Sequence, residues 1–258
     1  MFKKYSIALA ILLGSTMMYA ESSYAAEKKT DVTVVLVHGA WADASSWNKV
    51  IPLLQRKGLN VMTVQNPLTS LGDDVAATKR IIDDAKGKVV LVGHSWAGTV
   101  ITQAGNDPKV SALVYVAAFA PDVGETGDSL IKSYPTPPAL STVSADKAGF
   151  VVQTEEGVLK NFAPDIPVAE AKTLAVTQGP LAAKTFGEKV SQAAWKTKPS
   201  WYIVSANDRV ISPELEAAAA KRMNAKTTVL QSSHVSLLSH PKQVAAVIEQ
   251  AAASLATN

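Results

Sequence analysis

Cysteine is absent from all 258 residues, which removes disulfides, thiol nucleophiles and cysteine metal ligands together. A chain of this length can bury enough apolar surface to fold without cross-links. Histidine is scarce, with four residues, so a search for a catalytic base is short. Charged residues make up 18% against 47% hydrophobic, a composition that forms a core and not a disordered chain. The net charge of +3 is small and the Lys and Arg residues are dispersed, which argues against nucleic acid as a partner. No internal repeat is visible.

The N-terminal stretch is set apart from the fold. Lys3-Lys4 precedes an apolar run, Ile7 to Met18, and Ser23-Tyr24-Ala25 places small residues three and one before a cut. This pattern is that of a secretory signal peptide, residues 1–25, cleaved after Ala25. The apolar run is shorter than the roughly 20 residues of a spanning helix, so no stable membrane anchor is expected after cleavage. The mature chain, 26–258, is expected to be exported, to the periplasm or beyond. Lys3, Lys4 and Glu21 leave with the signal, which trims the positive charge by one.

The rest reads as alternating strands and helices. Thr33–Val37 is a continuous apolar run of the kind buried on both faces of a parallel sheet, Leu59–Val64 reads as the next strand, and Val89–Val92 and Val110–Ala118 read as further buried strands. Helical spacing separates them: Trp47 to Leu54 with Ser45 or Ser46 as cap, Val75 to Ile82, and Thr99 onward. This order predicts an α/β fold with right-handed crossovers. From about 122 to 196 no clear buried strand is evident, and Tyr134-Pro-Thr-Pro-Pro138 interrupts the pattern. That segment is expected to be a cap inserted between core segments 31–121 and 197–258. Ser200–Ser205, Pro213–Met223, Thr227–Gln231 and Lys242–Leu255 complete the strand–helix alternation.

The chemistry centres on Gly93-His94-Ser95-Trp96-Ala97-Gly98, set between strand and helix. A serine at such a sharp turn has the layout of a nucleophile elbow, G-x-S-x-G, with Ala97 in the fifth place and Gly98 adding slack. Ser95 could otherwise be an ordinary helix cap. A serine hydroxyl needs a base, and the base an orienting group. His38 is expected to hold the loop after the first strand, His94 to project away from Ser95, and His240 to be solvated. His234 follows the last strand, where open α/β sheets place their sites, and is the expected base. Asp208 follows the preceding strand and is the expected acid, with Asp122 the runner-up. The order Ser95, Asp208, His234 is the hydrolase order. Backbone N–H groups of Trp96 and Ala40 are expected to form an oxyanion hole. Trp41, Trp96 and Phe119 suggest an apolar substrate pocket.

Val37-His38-Gly39-Ala40-Trp41, the elbow, Asn207-Asp208 and Ser233-His234 together resemble the α/β-hydrolase superfamily along the whole mature chain. The His-Gly-Ala-Trp opening and short cap are most similar to its small-esterase branch of plant methyl esterases and hydroxynitrile lyases, here in an exported, bacterial-type form. The resemblance implies an α/β-hydrolase fold and a serine esterase acting on small to medium, apolar carboxylic esters, with a small-molecule ester as partner and no metal or organic cofactor. Two departures stand out: Ala97 replaces the second elbow glycine, and Gln65-Asn66-Pro67 stands where many relatives carry Asp-x-Pro-Gly. A lysine follows the catalytic histidine in the lyases, whereas this chain has Val235. Acyl transfer or perhydrolysis on the same triad, and ligand reception without catalysis, remain alternatives. The oligomeric state is not encoded in any of these features.

Overall fold

The computed structural model describes residues 31–256, and the expected signal peptide lies outside them. The first half runs β1 (Val32–Val37), α1 (Ile51–Gln55), β2 (Asn60–Val64), α2 (Leu71–Asp84), β3 (Lys88–His94), α3 (Ala97–Ala104) and β4 (Val110–Val116). Next come α4 (Gly127–Lys132), β5 (Val143–Ala145), β6 (Phe150–Gln153), α5 (Glu155–Gly157), α6 (Val168–Thr177) and β7 (Leu181–Ala182). The chain closes with β8 (Ser200–Ser205), α7 (Pro213–Arg222), β9 (Lys226–Leu230), α8 (Ser236–Ser239) and α9 (Pro241–Ala256). Among the described residues no helix is long and apolar enough to cross a membrane.

Six strands form one parallel sheet in the order β2-β1-β3-β4-β8-β9. Val89 to Val92 are wholly buried, which is why this strand shows no polar alternation. α9 packs on β1, β3, β4 and β8, while α2 and α3 pack on each other and α3 on β3. The strand order reverses between β1 and β3, so the loops leaving their carboxyl ends diverge and open a crevice there. Gly93 of β3 lies in register with Val37 of β1 and Tyr115 of β4, which sets the elbow between both neighbours.

Three local expectations are corrected. The helix expected from Trp47 to Leu54 is split into a 3-10 turn, Ala44–Trp47, and the short α1. Asp43, not Ser45 or Ser46, caps that turn by accepting from the Ser45 N–H at 2.6 Å, and Pro52, lacking an N–H, begins a new helix instead of continuing one. β4 stops at Val116, because Ala117 takes a φ of +44° and leaves the strand conformation. The segment read as having no buried strand holds a three-stranded antiparallel sheet, β5-β6-β7, with Val151 and Gln153 buried. Two of its strands have only three and two residues, too short for a period to register in sequence. This small sheet is tied to the core by Ala182 N–H donating to Leu68 O at 2.8 Å and by Trp41 Nε1–H donating to Val151 O at 2.9 Å.

Candidate active site

β3 delivers Ser95 to the tip of its turn with φ at +57°, a left-handed conformation that costs a side-chain-bearing residue on the order of 1–3 kcal/mol. The surrounding chain holds it there. Ser95 N–H donates to Val116 O at 3.2 Å, and Ser95 O accepts from Gly98 N–H at 3.0 Å and Phe119 N–H at 3.2 Å. Small residues are required by close approach. A Cβ on Gly93 would sit 2.7 Å from Ala97 O, and one on Gly98 would sit 2.0 Å from Phe119 O. Gly98 therefore does not supply slack: it is where α3 touches the chain leaving β4, and Ala97 fits, fully buried, beside it.

Asp208 sits in the turn after β8 and is buried. Its Oδ1 accepts from Val210 N–H at 2.7 Å and Ile211 N–H at 3.0 Å, and its Oδ2 lies 2.6 Å from His234 Nδ1. Burial pushes this carboxyl up, but the charge and hydrogen bond of His234 and the other donors outweigh it and hold it below the ordinary carboxylate range. An ionised Asp208 places the imidazole proton on Nδ1, which leaves a lone pair on Nε2. Nε2 is buried and has no hydrogen-bond partner among the described residues. It is not bonded to Ser95, and such contacts are often long in unliganded enzymes.

The His234 loop is fixed from three sides. His94 Nε2 lies 2.9 Å from His234 O, with the two rings 4.7 Å apart. Phe162 packs against His234 at 5.2 Å. Asp165, from the segment before α6, accepts from Ser233 N–H at 2.7 Å and Ser233 Oγ–H at 2.5 Å. Burial, and next to it His234, pushes His94 down to about 3, so its ring is neutral.

His38 fixes the loop after β1. Its Nε2 accepts from Asn66 N–H at 2.9 Å, so its Nδ1–H donates to Gly39 O at 2.9 Å. Asn66 Nδ2–H returns a bond to His38 O at 2.8 Å. Burial lowers the His38 pKa, which keeps this bridge neutral. The Gln65-Asn66-Pro67 departure thus carries a structural role on the loop beside Ala40. Neither Ala40 N–H nor Trp96 N–H is taken by a turn or loop acceptor among the described residues.

Ala40, Trp41, Ser95, Trp96 and Phe119 share one cavity of about 20 Å³ with Ile131, Leu140, Phe186 and Val210. A wider groove of about 420 Å³ is lined by Lys160, Asp165, Asp208 and Arg209 among others, and Ser95 is not part of its lining. Asp122, the alternative acid, instead pairs with Lys196 at 2.5 Å. His240 is half-buried and lies 2.8 Å from Ser239 Oγ. Among the described residues no cluster of three or more His, Asp or Glu could hold a metal ion. Sequence reasoning missed Asp74, Asp165 and Glu216, three carboxyls that reach the site through other residues.

Residues 34–247 match the model of the alpha/beta hydrolase family, and the chain belongs to that family. It is 35% identical over 123 residues to the carbendazim hydrolyzing esterase of Nocardioides sp., an alignment covering 42% of this chain and half of that protein. It is 26% identical over 255 residues to methylesterase 3 of Arabidopsis thaliana, covering 86% of this chain and 96% of that one. The crystal structure of a pyrethroid hydrolase from Sphingobium faniae superposes with a TM-score of 0.75 at 21% identity, over 89% of this chain and all of that one.

Proposed function

We propose that this α/β hydrolase is a serine esterase that cleaves small to medium, largely apolar carboxylic esters through an acyl-enzyme on Ser95. His234 Nε2 takes the Ser95 Oγ proton as Oγ attacks the ester carbonyl, and then gives that proton to the departing alcohol. Asp208 holds the Nδ1–H tautomer and balances the imidazolium that forms. The carbonyl oxygen, negative in the tetrahedral intermediate, takes the Ala40 and Trp96 N–H groups. Water enters next, with His234 as base again, and frees the acid.

The observation that carries this reading is the buried Asp208–His234 pair with its unengaged Nε2, in a fold that also holds the elbow serine at φ +57°. The names of the esterase and methylesterase relatives agree with ester chemistry. Val235, directly after His234, argues against the hydroxynitrile-lyase alternative. Export remains part of the proposal, resting on Lys3-Lys4, the Ile7 to Met18 run and Ser23-Tyr24-Ala25.

The test is a burst assay on the mature protein with short and medium p-nitrophenyl esters, comparing wild type with Ser95→Ala. A burst lost in the variant supports the acyl-enzyme. Wild type without burst, turnover or labelling by a serine-reactive phosphonate overturns it, and ligand binding that persists in Ser95→Ala would then favour a receptor.

A further inference from the structure

Behind Asp208 lies a second carboxyl for which the hydrolytic steps above have no use. Glu216 projects from α7 and is wholly buried. Its Oε2 accepts from Ser205 N–H at 2.9 Å, while its Oε1 is buried with no donor to satisfy it among the described residues. The groups facing Glu216 are few. From the loop after β8 comes the Asp208 carboxylate, with His234 beyond it, and from β8 comes the Tyr202 phenol. Tyr202 is already committed as a donor to Ala118 O. None of these is a cation that pairs with Glu216.

Two carboxylates cannot both stay ionised side by side in a buried site, so one must keep its proton. Asp208 has the stronger claim to charge, because it accepts from two backbone N–H groups and from His234. Glu216 has a single backbone donor. We propose that Glu216 is a protonated positioning residue, whose Oε1–H donates a hydrogen bond to the Asp208 carboxylate and keeps that carboxylate directed at His234 Nδ1. Burial first, then the charge of Asp208 and the hydrogen bond to it, hold the Glu216 carboxyl well above the usual glutamate range. The same bond is among the causes that lower Asp208. No proton leaves Glu216 during turnover. Its bond makes Asp208 a weaker base, so the proton between Asp208 and His234 stays on Nδ1 while Nε2 acts on the substrate.

This inference rests on the proposed Ser95–His234–Asp208 chemistry for its kinetic consequence, but not for its spectroscopic one. Isotope-edited infrared difference spectra of wild type against Glu216→Gln are expected to show one protonated carboxyl at neutral pH that the variant lacks. Glu216→Gln keeps a neutral donor of the same shape and is expected to stay within about 3-fold of wild-type kcat, with the same pH profile. Glu216→Leu removes the donor and is expected to lose about 10- to 100-fold in kcat at nearly constant KM. Its acid limb of kcat/KM should move to higher pH, because a more basic Asp208 favours the imidazolium. The proposal is overturned if the band is missing, if a folded Gln variant falls as far as the Leu variant, or if a folded Leu variant keeps wild-type kcat. Should Glu216→Leu fail to fold, the infrared band and the Gln variant still decide. A wild type that never labels or turns over would sink the esterase reading alone, leaving the infrared result to judge Glu216.

Discussion

Trp96, the residue after Ser95, donates its indole N–H to the Asp74 carboxylate of α2 at 2.8 Å. The other Asp74 oxygen accepts from Leu68 N–H at 2.8 Å, and both Asp74 and Trp96 are wholly buried. Leu68 in turn accepts the Ala182 N–H of β7, so one carboxylate joins the elbow, the loop after β2 and the small antiparallel sheet. Asp74→Ala leaves two buried N–H donors unpaired, a cost of about 2–4 kcal/mol in stability. A moved Trp96 also displaces the amide proposed to hold the oxyanion. Urea denaturation should show the lost stability, and burst kinetics should show a lower acylation rate with KM less affected. A variant with wild-type acylation would detach Asp74 from the site.

Buried titratable groups set an unusual pH balance. His94, pushed down to about 3 by burial, and His38, also lowered by burial, are neutral in the fold but protonate in the unfolded chain below its ordinary value. Their contribution is present above pH 6.5 and lost as pH falls toward the folded value. Asp74, raised by burial to about 6, and Glu216, held by burial well above the usual glutamate range, act in the opposite sense. Their contribution is present below the unfolded carboxylate range and lost as pH rises through the folded value. Glu216→Gln removes one of these opposing groups. Its stability relative to wild type should therefore grow as pH rises above about 4.5, by up to about 1.4 kcal/mol per pH unit. Paired denaturation curves from pH 4.5 to 7 check this, and a pH-independent difference would contradict a neutral Glu216.

The alternation of strands was legible because Val89 to Val92 and Ser200 to Ser205 are buried on both faces and carry their burial in local composition. Ser95, Asp208 and His234 were legible as candidates because each ends a strand of that series. What escaped notice acts across the fold. Asp74 and Glu216 occupy apolar stripes, Leu71-Asp74-Val75-Thr78-Ile82 and Glu216-Ala219-Ala220-Met223, where helical spacing puts them among buried neighbours. An acidic residue on such a stripe is a signal that a buried partner exists, but the identity of the partner needs the tertiary structure. Asp165 carries no such sign, since it lies in a loop and is exposed at its own position.

Gly39 shows how closely the loop after β1 approaches the elbow. A Cβ there would stand 2.7 Å from Ser95 Cβ and 2.8 Å from His94 O. Neither is the free end of a flexible chain, so the loop or the elbow must shift. Gly39→Ala should destabilise by about 1–3 kcal/mol, as overpacking of a filled interior does. It should also lower acylation steeply, because the shift falls on Ser95 and on the Ala40 amide together. Thermal unfolding and phosphonate labelling rates would separate the two effects. Unchanged labelling would show that the loop has room the geometry denies.

The cavity beside Ser95, about 20 Å³, bounds the acyl groups that enter without rearrangement. That volume holds little more than a single water, whereas pockets for drug-sized ligands run to several hundred Å³. On the proposed reading any acyl group larger than a water must therefore displace wall residues, longer chains more than acetyl, and the walls differ in how easily they yield. Phe186 is edge-packed on both Trp96 and Phe119, so moving it disturbs the elbow. Leu140 is 40% exposed and gives way at low cost to stability. Leu140→Ala should leave kcat/KM for p-nitrophenyl acetate nearly unchanged and raise it for butyrate and hexanoate by about 10-fold, the scale of one or two methylenes in an apolar pocket. Phe186→Ala should instead lower activity on every chain length. Equal effects of Leu140→Ala on acetate and hexanoate would place the acyl group elsewhere than in this cavity.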